Sequence, residues 1–295
     1  MKSGFVSIVG RPNVGKSTLL NSLLETKLAI TSDKAGTTRN IIEGVYEDED
    51  TQIVFVDTPG IHKPINKLGT ILNKKAYQMT ENVDLILFLI DVSTGFGKGD
   101  NFILEKLKEE KVPVILVLNK VDQIKKDELL EKIMKYKDLH DFCEIFPISA
   151  LKNDNIDALI KTIKKYMPNE GKIFEDETFT NISTNFYVSE IVREKVLRKT
   201  REEVPHSVTC YVEKIDYSKD KVHIQVLIVV DRDSLKKIII GKNGSMIKEI
   251  GCEARMDLEE YFGKTVYLET FVKTIKNWRD REKYLKELGL SELDS

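Results

Sequence analysis

Gly10-Arg11-Pro12-Asn13-Val14-Gly15-Lys16-Ser17 limits what this chain can fold into more than any other stretch. It fits GxxxxGK[ST], and it stands between a β-rich apolar run at residues 5–9 and a helical pattern at 17–27. A strand, a glycine-rich turn and a helix N-terminus in that order form a phosphate cradle. The glycines let backbone N–H groups wrap the phosphates, and the helix adds its positive end. Lys16 is placed to reach the β- and γ-phosphates, and the Ser17 hydroxyl to bind Mg²⁺. The bare pattern arises by chance in roughly one chain of this length in a hundred, and its strand–loop–helix setting makes it rarer still.

The rest of the first half obeys the same architecture. Runs at 5–9, 51–56, 85–92, 114–118 and 145–148 read as strands, and 17–27, 66–82, 100–110, 127–140 and 155–167 as amphipathic helices. This alternation predicts an α/β P-loop NTPase domain with a mostly parallel sheet. Residues 41–47 and 51–57, joined by Asp48-Glu49-Asp50, predict a hairpin that adds one antiparallel strand.

A phosphate cradle names no base. Asn119-Lys120-Val121-Asp122, at the end of a strand, does. An Asp122 carboxylate accepts from guanine N1–H and the exocyclic amine, a donor pair that adenine lacks. Asn119 can fix the loop, and the Lys120 stem can cover the ring. Ser149-Ala150-Leu151, at the next strand end, is placed to back the base. Asp57-Thr58-Pro59-Gly60 closes another strand; Asp57 is expected to hold Mg²⁺ through water and the Gly60 N–H to sense the γ-phosphate. Thr37-Thr38 offers a hydroxyl to the metal, with Thr38 favoured over Thr37. Five elements in this order specify GTP binding. Ile61 follows Gly60 and carries no side-chain carbonyl to orient a water, so slow intrinsic hydrolysis is expected. Asn13 is a candidate K⁺ ligand that would supply charge in place of an arginine finger; a turn-capping amide is the alternative.

The composition turns over at Pro168. Residues 169–180 lack periodicity and read as a linker between a domain at 1–168 and a second at 181–295. The second domain reads as a helix (189–203), strands (207–216, 222–230), a short helix (241–244), a helix (245–262), a strand (266–272) and a charged C-terminal helix. That order predicts an α+β domain with a mostly antiparallel sheet. Gly241-Lys242-Asn243-Gly244 sits between two helices, among Lys236, Lys237 and Lys248 and with no acid from 234 to 248. The turn can approach a phosphodiester chain, and 238–240 with Ile247 offer an apolar groove floor, Ile239 among them. This pattern matches a type II KH module, which clamps about four nucleotides of single strand. His206 and His223 read as ordinary surface or strand residues, and Trp278 as an anchor for the terminal helix.

Charge excludes attachment to nucleic acid by bulk positive charge: 46 Lys plus Arg oppose 48 Asp plus Glu. Apolar runs at 83–92 and 112–118 are too short to span a bilayer. A strand beginning at Phe5 leaves no room for a signal peptide, and three scattered cysteines give neither disulfide framework nor metal spacing. A soluble cytosolic monomer is expected.

Joined on one chain, a GTP-binding domain and a KH domain with an intact GxxG resemble the Era family of bacterial ribosome-assembly GTPases. The resemblance runs over nearly the whole sequence. Its more specific marks are Asp57-Thr-Pro-Gly-Ile61-His62-Lys63-Pro64, Gly36-Thr-Thr-Arg39 and Ile240-Gly-Lys-Asn-Gly-Ser-Met-Ile-Lys-Glu-Ile250-Gly251. It implies binding near the 3′ end of 16S rRNA, a role in maturation of the 30S subunit, and peripheral contact with the inner face of the membrane. A second reading stays open, in which the C-terminal domain serves protein or membrane partners.

Overall fold

The computed structural model describes residues 1–295 apart from 35, 62, 63, 65, 176–178, 288, 289 and 291–295. The motif residues His62 and Lys63 therefore lie outside the described residues. The first domain contains β1 (Lys2–Gly10), α1 (Lys16–Leu23), β2 (Ile42–Glu47), β3 (Thr51–Asp57), α2 (Lys67–Gln78), β4 (Leu85–Asp91) and α3 (Lys98–Leu107). It continues with β5 (Val114–Asn119), α4 (Lys126–Tyr136), β6 (Glu144–Pro147) and α5 (Ile156–Ile163). The sheet runs β2-β3-β1-β4-β5-β6, and only the β2–β3 pair is antiparallel. β4 (LILFLID) and β5 (VILVLN) are buried along their whole length, as strands covered on both faces must be. Leu19, Leu20 and Leu23 of α1 and Leu159 and Ile163 of α5 cover one face. Ala76 of α2, Ile103 and Leu107 of α3 and Tyr136 of α4 cover the other. This doubly wound arrangement brings the carboxyl ends of β1, β3, β4 and β5 to one edge, where ligands of such sheets bind.

After Pro168 the chain follows the outer edge of the sheet. The amides of Ile173 and Phe174 donate to Gln52 Oε1, and Thr180 bridges to Gly44 of β2. The second domain comprises α6 (Thr184–Lys199), α7 (Val204–Ser207), β7 (Thr209–Tyr217), β8 (Lys221–Val230), α8 (Asp233–Ile240), α9 (Ser245–Phe262), β9 (Thr265–Thr274) and α10 (Glu282–Glu287). α6 starts at Thr184, five residues earlier than periodicity indicates, because the Ser183 hydroxyl caps the Phe186 amide at 3.2 Å. The expected antiparallel character is also corrected: β7 pairs antiparallel with β8, but β8 and β9 run parallel. The helix pair α8–α9 is a crossover long enough to return β9 in the same direction.

One face of this sheet packs on α6, α8 and α9. The other meets Leu68, Ile71 and Leu72 of α2 from the first domain, together with Trp278 and Leu285. Trp278 is fully buried and its indole N–H donates to the Ser207 carbonyl at 2.8 Å, which makes it the expected anchor. His206 and His223 are exposed.

Candidate functional site

Gly10 to Ser17 wrap the end of β1 and enter α1. Gly15 holds φ +101°, and a Cβ there would lie 2.3 Å from Asn119 Nδ2, so only glycine fits between this turn and the Asn119 loop. The Lys16 ammonium folds over the turn onto the carbonyls of Gly10 and Arg11 at 3.1 and 2.9 Å. Burial pushes its pKa down to about 8 against the pull of Asp57. Such an ammonium is poised for an anion that would replace two carbonyls as its partner. The Arg11 side chain turns away and pairs with Asp100 of α3 at 2.7 Å, which leaves its backbone as its part in the cradle. Pro12, Val14 and Gly60 join these residues around a cavity of about 470 Å³, with Thr31–Asp33, Thr37, Thr38, Asp91 and Lys120 on its walls.

Three oxygen-bearing side chains meet beside Lys16. Ser17 Oγ lies 2.8 Å from Thr38 Oγ1 and donates to Asp57 Oδ2 at 2.7 Å. Thr38 Oγ1 also donates to Asp57 Oδ2 at 3.4 Å. Asp57 is fully buried, its pKa is raised by burial against the pull of Lys16, and its Oδ1 has no hydrogen-bond partner. An orphaned buried carboxylate oxygen among hydroxyls fits a hard divalent cation. Among the described residues no cluster of three His, Cys, Asp or Glu could hold a metal. Remaining positions must then come from phosphate and water, the arrangement Mg²⁺ favours. Thr37 points elsewhere: its hydroxyl lies 2.6 Å from that of Ser32 and donates to the Lys34 carbonyl at 2.7 Å. Thr58 is tied to the Ile8 carbonyl at 2.9 Å and supports the loop, with Pro59 buried beside it. Asn13, at φ +66°, does not cap its own turn; its amide donates to the Asp33 carbonyl at 2.8 Å. Ile61 is 2% exposed within the apolar layer of Val9, Ala76 and Ile103.

The loop expected to read the base is assembled across the sheet edge. Asn119 donates from Nδ2 to the Val14 carbonyl at 2.8 Å and accepts the Ala150 amide at 3.0 Å, locking three loops together. Asp122 lies in the short turn Val121–Gln123 and accepts from Ser149 Oγ at 2.5 Å. Lys120 spans to the Asn13 carbonyl at 2.8 Å and Asp91 at 2.7 Å. Burial opposes ionisation of Asp91, but Lys120 and Ser93 outweigh it and lower its pKa. Leu151 is 72% exposed at the rim. Sequence reasoning missed Asp91, whose only signal is its place at the end of β4, in register with Asn119.

In the second domain, Lys242, Asn243 and Gly244 form a tight turn between α8 and α9, with φ +73° at Gly241 and +76° at Gly244. Lys237, Lys242, Asn243 and Lys248 are exposed, and Lys236 is half-buried. Ile239 is a correction: it is fully buried among Leu235, Ile250 and Ala254, so it braces the groove from within. Residues three and four apart share a helix face, and the core claims Leu235 and Ile239; Ile238, 49% exposed, faces outward instead.

These features define a P-loop GTPase joined to a KH domain. The family model for a 50S ribosome-binding GTPase matches residues 5–120, and that for a KH domain matches 203–279. Among solved structures the chain is similar to Era in complex with MgGDPNP and nucleotides 1506–1542 of 16S ribosomal RNA. The two share 44% identity over 99% of each chain with a TM-score of 0.96. It is similar also to a variant of Aquifex aeolicus Era bound to GDP and AlF₄⁻. There the identity is 44%, 99% of this chain and 100% of the other are covered, and the TM-score is 0.95. The chain belongs to the Era family.

Proposed function

We propose that this protein is a GTP-hydrolysing switch that binds the 3′ end of 16S rRNA through its KH domain and acts in assembly of the 30S subunit. The carrying observation is the convergence of Ser17, Thr38 and Asp57 on one point of the cradle while the same chain presents GxxG on its surface. Residues 10–17 hold the phosphates, Asn119, Lys120 and Asp122 read guanine with Ser149-Ala150-Leu151 behind it, and Thr37 supports Thr38. Lys236, Lys237, Lys242, Asn243 and Lys248 engage RNA around Gly241 and Gly244. Mg²⁺, held by Ser17 and Thr38 with Asp57 behind them, would supply charge neutralisation to the phosphates. The similar Era structure with MgGDPNP and 16S rRNA supports both halves of this reading.

Hydrolysis is slow without a partner, since Ile61 has no side-chain carbonyl and is buried in an apolar layer. K⁺ raises it through Asn13. We place the protein in the cytosol; no described helix is long and apolar enough to cross a membrane.

The test is equilibrium binding of a 16S 3′-end oligonucleotide and of a shuffled one, with a GTP analogue or with GDP. Selective binding of the native sequence, on the order of tenfold tighter with the analogue, is expected. Equal binding of both oligonucleotides would sink the 16S-selective reading, and no binding of either would favour a protein partner.

A further inference from the structure

Two adjacent residues of α6 grip the other domain at separate points, Thr31 and Thr37. Glu194 Oε1 accepts the Thr31 amide at 3.0 Å, and Arg193 Nη2 donates to the Thr37 carbonyl. Both side chains are fully buried. Arg193 is held in turn by Glu190, Nε to Oε1 at 2.6 Å and Nη2 to Oε2 at 2.5 Å. Its Nη1 has no partner. Burying a guanidinium with a donor unsatisfied is costly, and an apolar side chain would pack there more cheaply. What the arginine supplies is a fixed direction: the Thr37 carbonyl belongs to the peptide plane that ends at the Thr38 nitrogen. On the far side of Thr38, Arg39 donates to the Val208 carbonyl at 2.6 Å and lies 5.7 Å from the Trp278 ring centroid. Thr38 is thus flanked on both sides by contacts to the KH domain. Between the two α6 contacts, Asn13 ties the Asp33 carbonyl to the cradle.

We propose that Arg193 is a positioning residue for the nucleotide site: the KH domain supplies, from within the chain, the support that holds Thr38 over Ser17 and Asp57. This rests on the reading of those three residues as the Mg²⁺ set. By linkage, ligation of Thr38 tightens the Arg193–Thr37 contact by the same free energy that the contact lends to ligation.

The test measures binding of a fluorescent non-hydrolysable GTP analogue and of fluorescent GDP to the full chain, each titrated with Mg²⁺. Arg193→Gln is expected to raise the Mg²⁺ concentration for half-maximal analogue binding on the order of tenfold, part of what a charge-assisted hydrogen bond carries. GDP binding should change less than about twofold, because a γ-phosphate is needed to engage Thr38. Arg193→Lys keeps a charged donor and should recover most of the loss. In a Thr38→Ala background the Arg193→Gln shift should vanish, since the residue it acts through is gone. An unchanged Mg²⁺ half-point in Arg193→Gln overturns the proposal, as does an undiminished shift in the Thr38→Ala background. If Thr38→Ala alone leaves the half-point unchanged, the metal-site reading fails and carries this proposal with it. Should Arg193→Gln not fold, Glu190→Gln frees the same guanidinium and should raise the half-point about threefold; no rise overturns the proposal.

Discussion

The hydroxyls of Ser17 and Thr38 stand 2.8 Å apart, and both face Asp57 Oδ2, although 21 residues separate them along the chain. That juxtaposition distinguishes the two adjacent threonines. Thr38→Ala should weaken Mg²⁺-dependent binding of a GTP analogue by roughly 10- to 100-fold and barely change GDP binding. Thr37→Ala should cost far less, because its hydroxyl serves Ser32 and the Lys34 carbonyl. Parallel analogue and GDP titrations of both variants check this; a larger loss with Thr37→Ala would reverse the assignment.

Asp122 is oriented by Ser149 at 2.5 Å, so its carboxylate is presented with fixed geometry. Asp122→Asn replaces an acceptor by a donor opposite the guanine N1–H and amine. GTP affinity should fall by roughly 10³-fold and xanthosine triphosphate should gain. Competition binding of the two nucleotides reads both changes; GTP preferred as strongly as before would remove Asp122 from the base site.

Lys16 gives the site a pH dependence of defined sign. Without nucleotide its pKa lies at about 8, lowered by burial; phosphates raise it. Below about pH 7 the ammonium is charged in both states and contributes no pH dependence. Above about pH 8 binding takes up a proton, so affinity falls as pH rises, toward tenfold per unit. Calorimetry in buffers of different ionisation enthalpy should show that uptake to be larger at pH 8.5 than at pH 7.5, both above the range where the terminal phosphate titrates. Equal proton traffic at both values would contradict it.

The candidate nucleotide site can be laid out from the sequence because its residues lie in contiguous motifs whose chemistry demands a fixed spacing. Gly10–Ser17 and Asn119–Asp122 needed no tertiary information, and the structure brings both to one edge. The choice between Thr37 and Thr38 needed the path of segment 31–40. Arg193 was not legible, since its partner Thr37 is 156 residues away and no local pattern marks a helix whose polar face is buried by another domain. Ile239 failed for a related reason. In Ile238-Ile239-Ile240 every residue is apolar, so only the sheet beneath α8 decides which one is core. The parallel β8–β9 pairing is likewise set by where the α8–α9 crossover lands.

Charge sharpens the RNA reading. Residues 1–170 carry 24 basic and 25 acidic side chains and 171–295 carry 22 and 23, so neither part is basic overall. Positive charge is concentrated in the four lysines from 236 to 248. With about 0.7 counterions released per phosphate on single strands, log affinity against log salt should have a slope no steeper than about −3. Binding carried mainly by base edges and stacking explains such a slope. A slope near −6 measured from 50 to 300 mM KCl would require a second phosphate-binding surface.

If GxxG holds RNA while the distant cradle holds GTP, Gly244→Asp separates the two. A Cβ at Gly244 meets nothing within 4 Å, and aspartate is among the few residues that adopt a φ of +76°, at a strain that glycine avoids, whereas a Cβ at Gly241 would strike the Met246 nitrogen at 2.8 Å. The substitution therefore meets no steric clash, costs some backbone strain at the turn, and places a carboxylate where the phosphodiester chain would pass. Affinity for the 16S 3′-end oligonucleotide, measured with GTP analogue present, should fall at least about tenfold while analogue affinity stays unchanged. Unchanged RNA affinity in the folded variant would contradict the account.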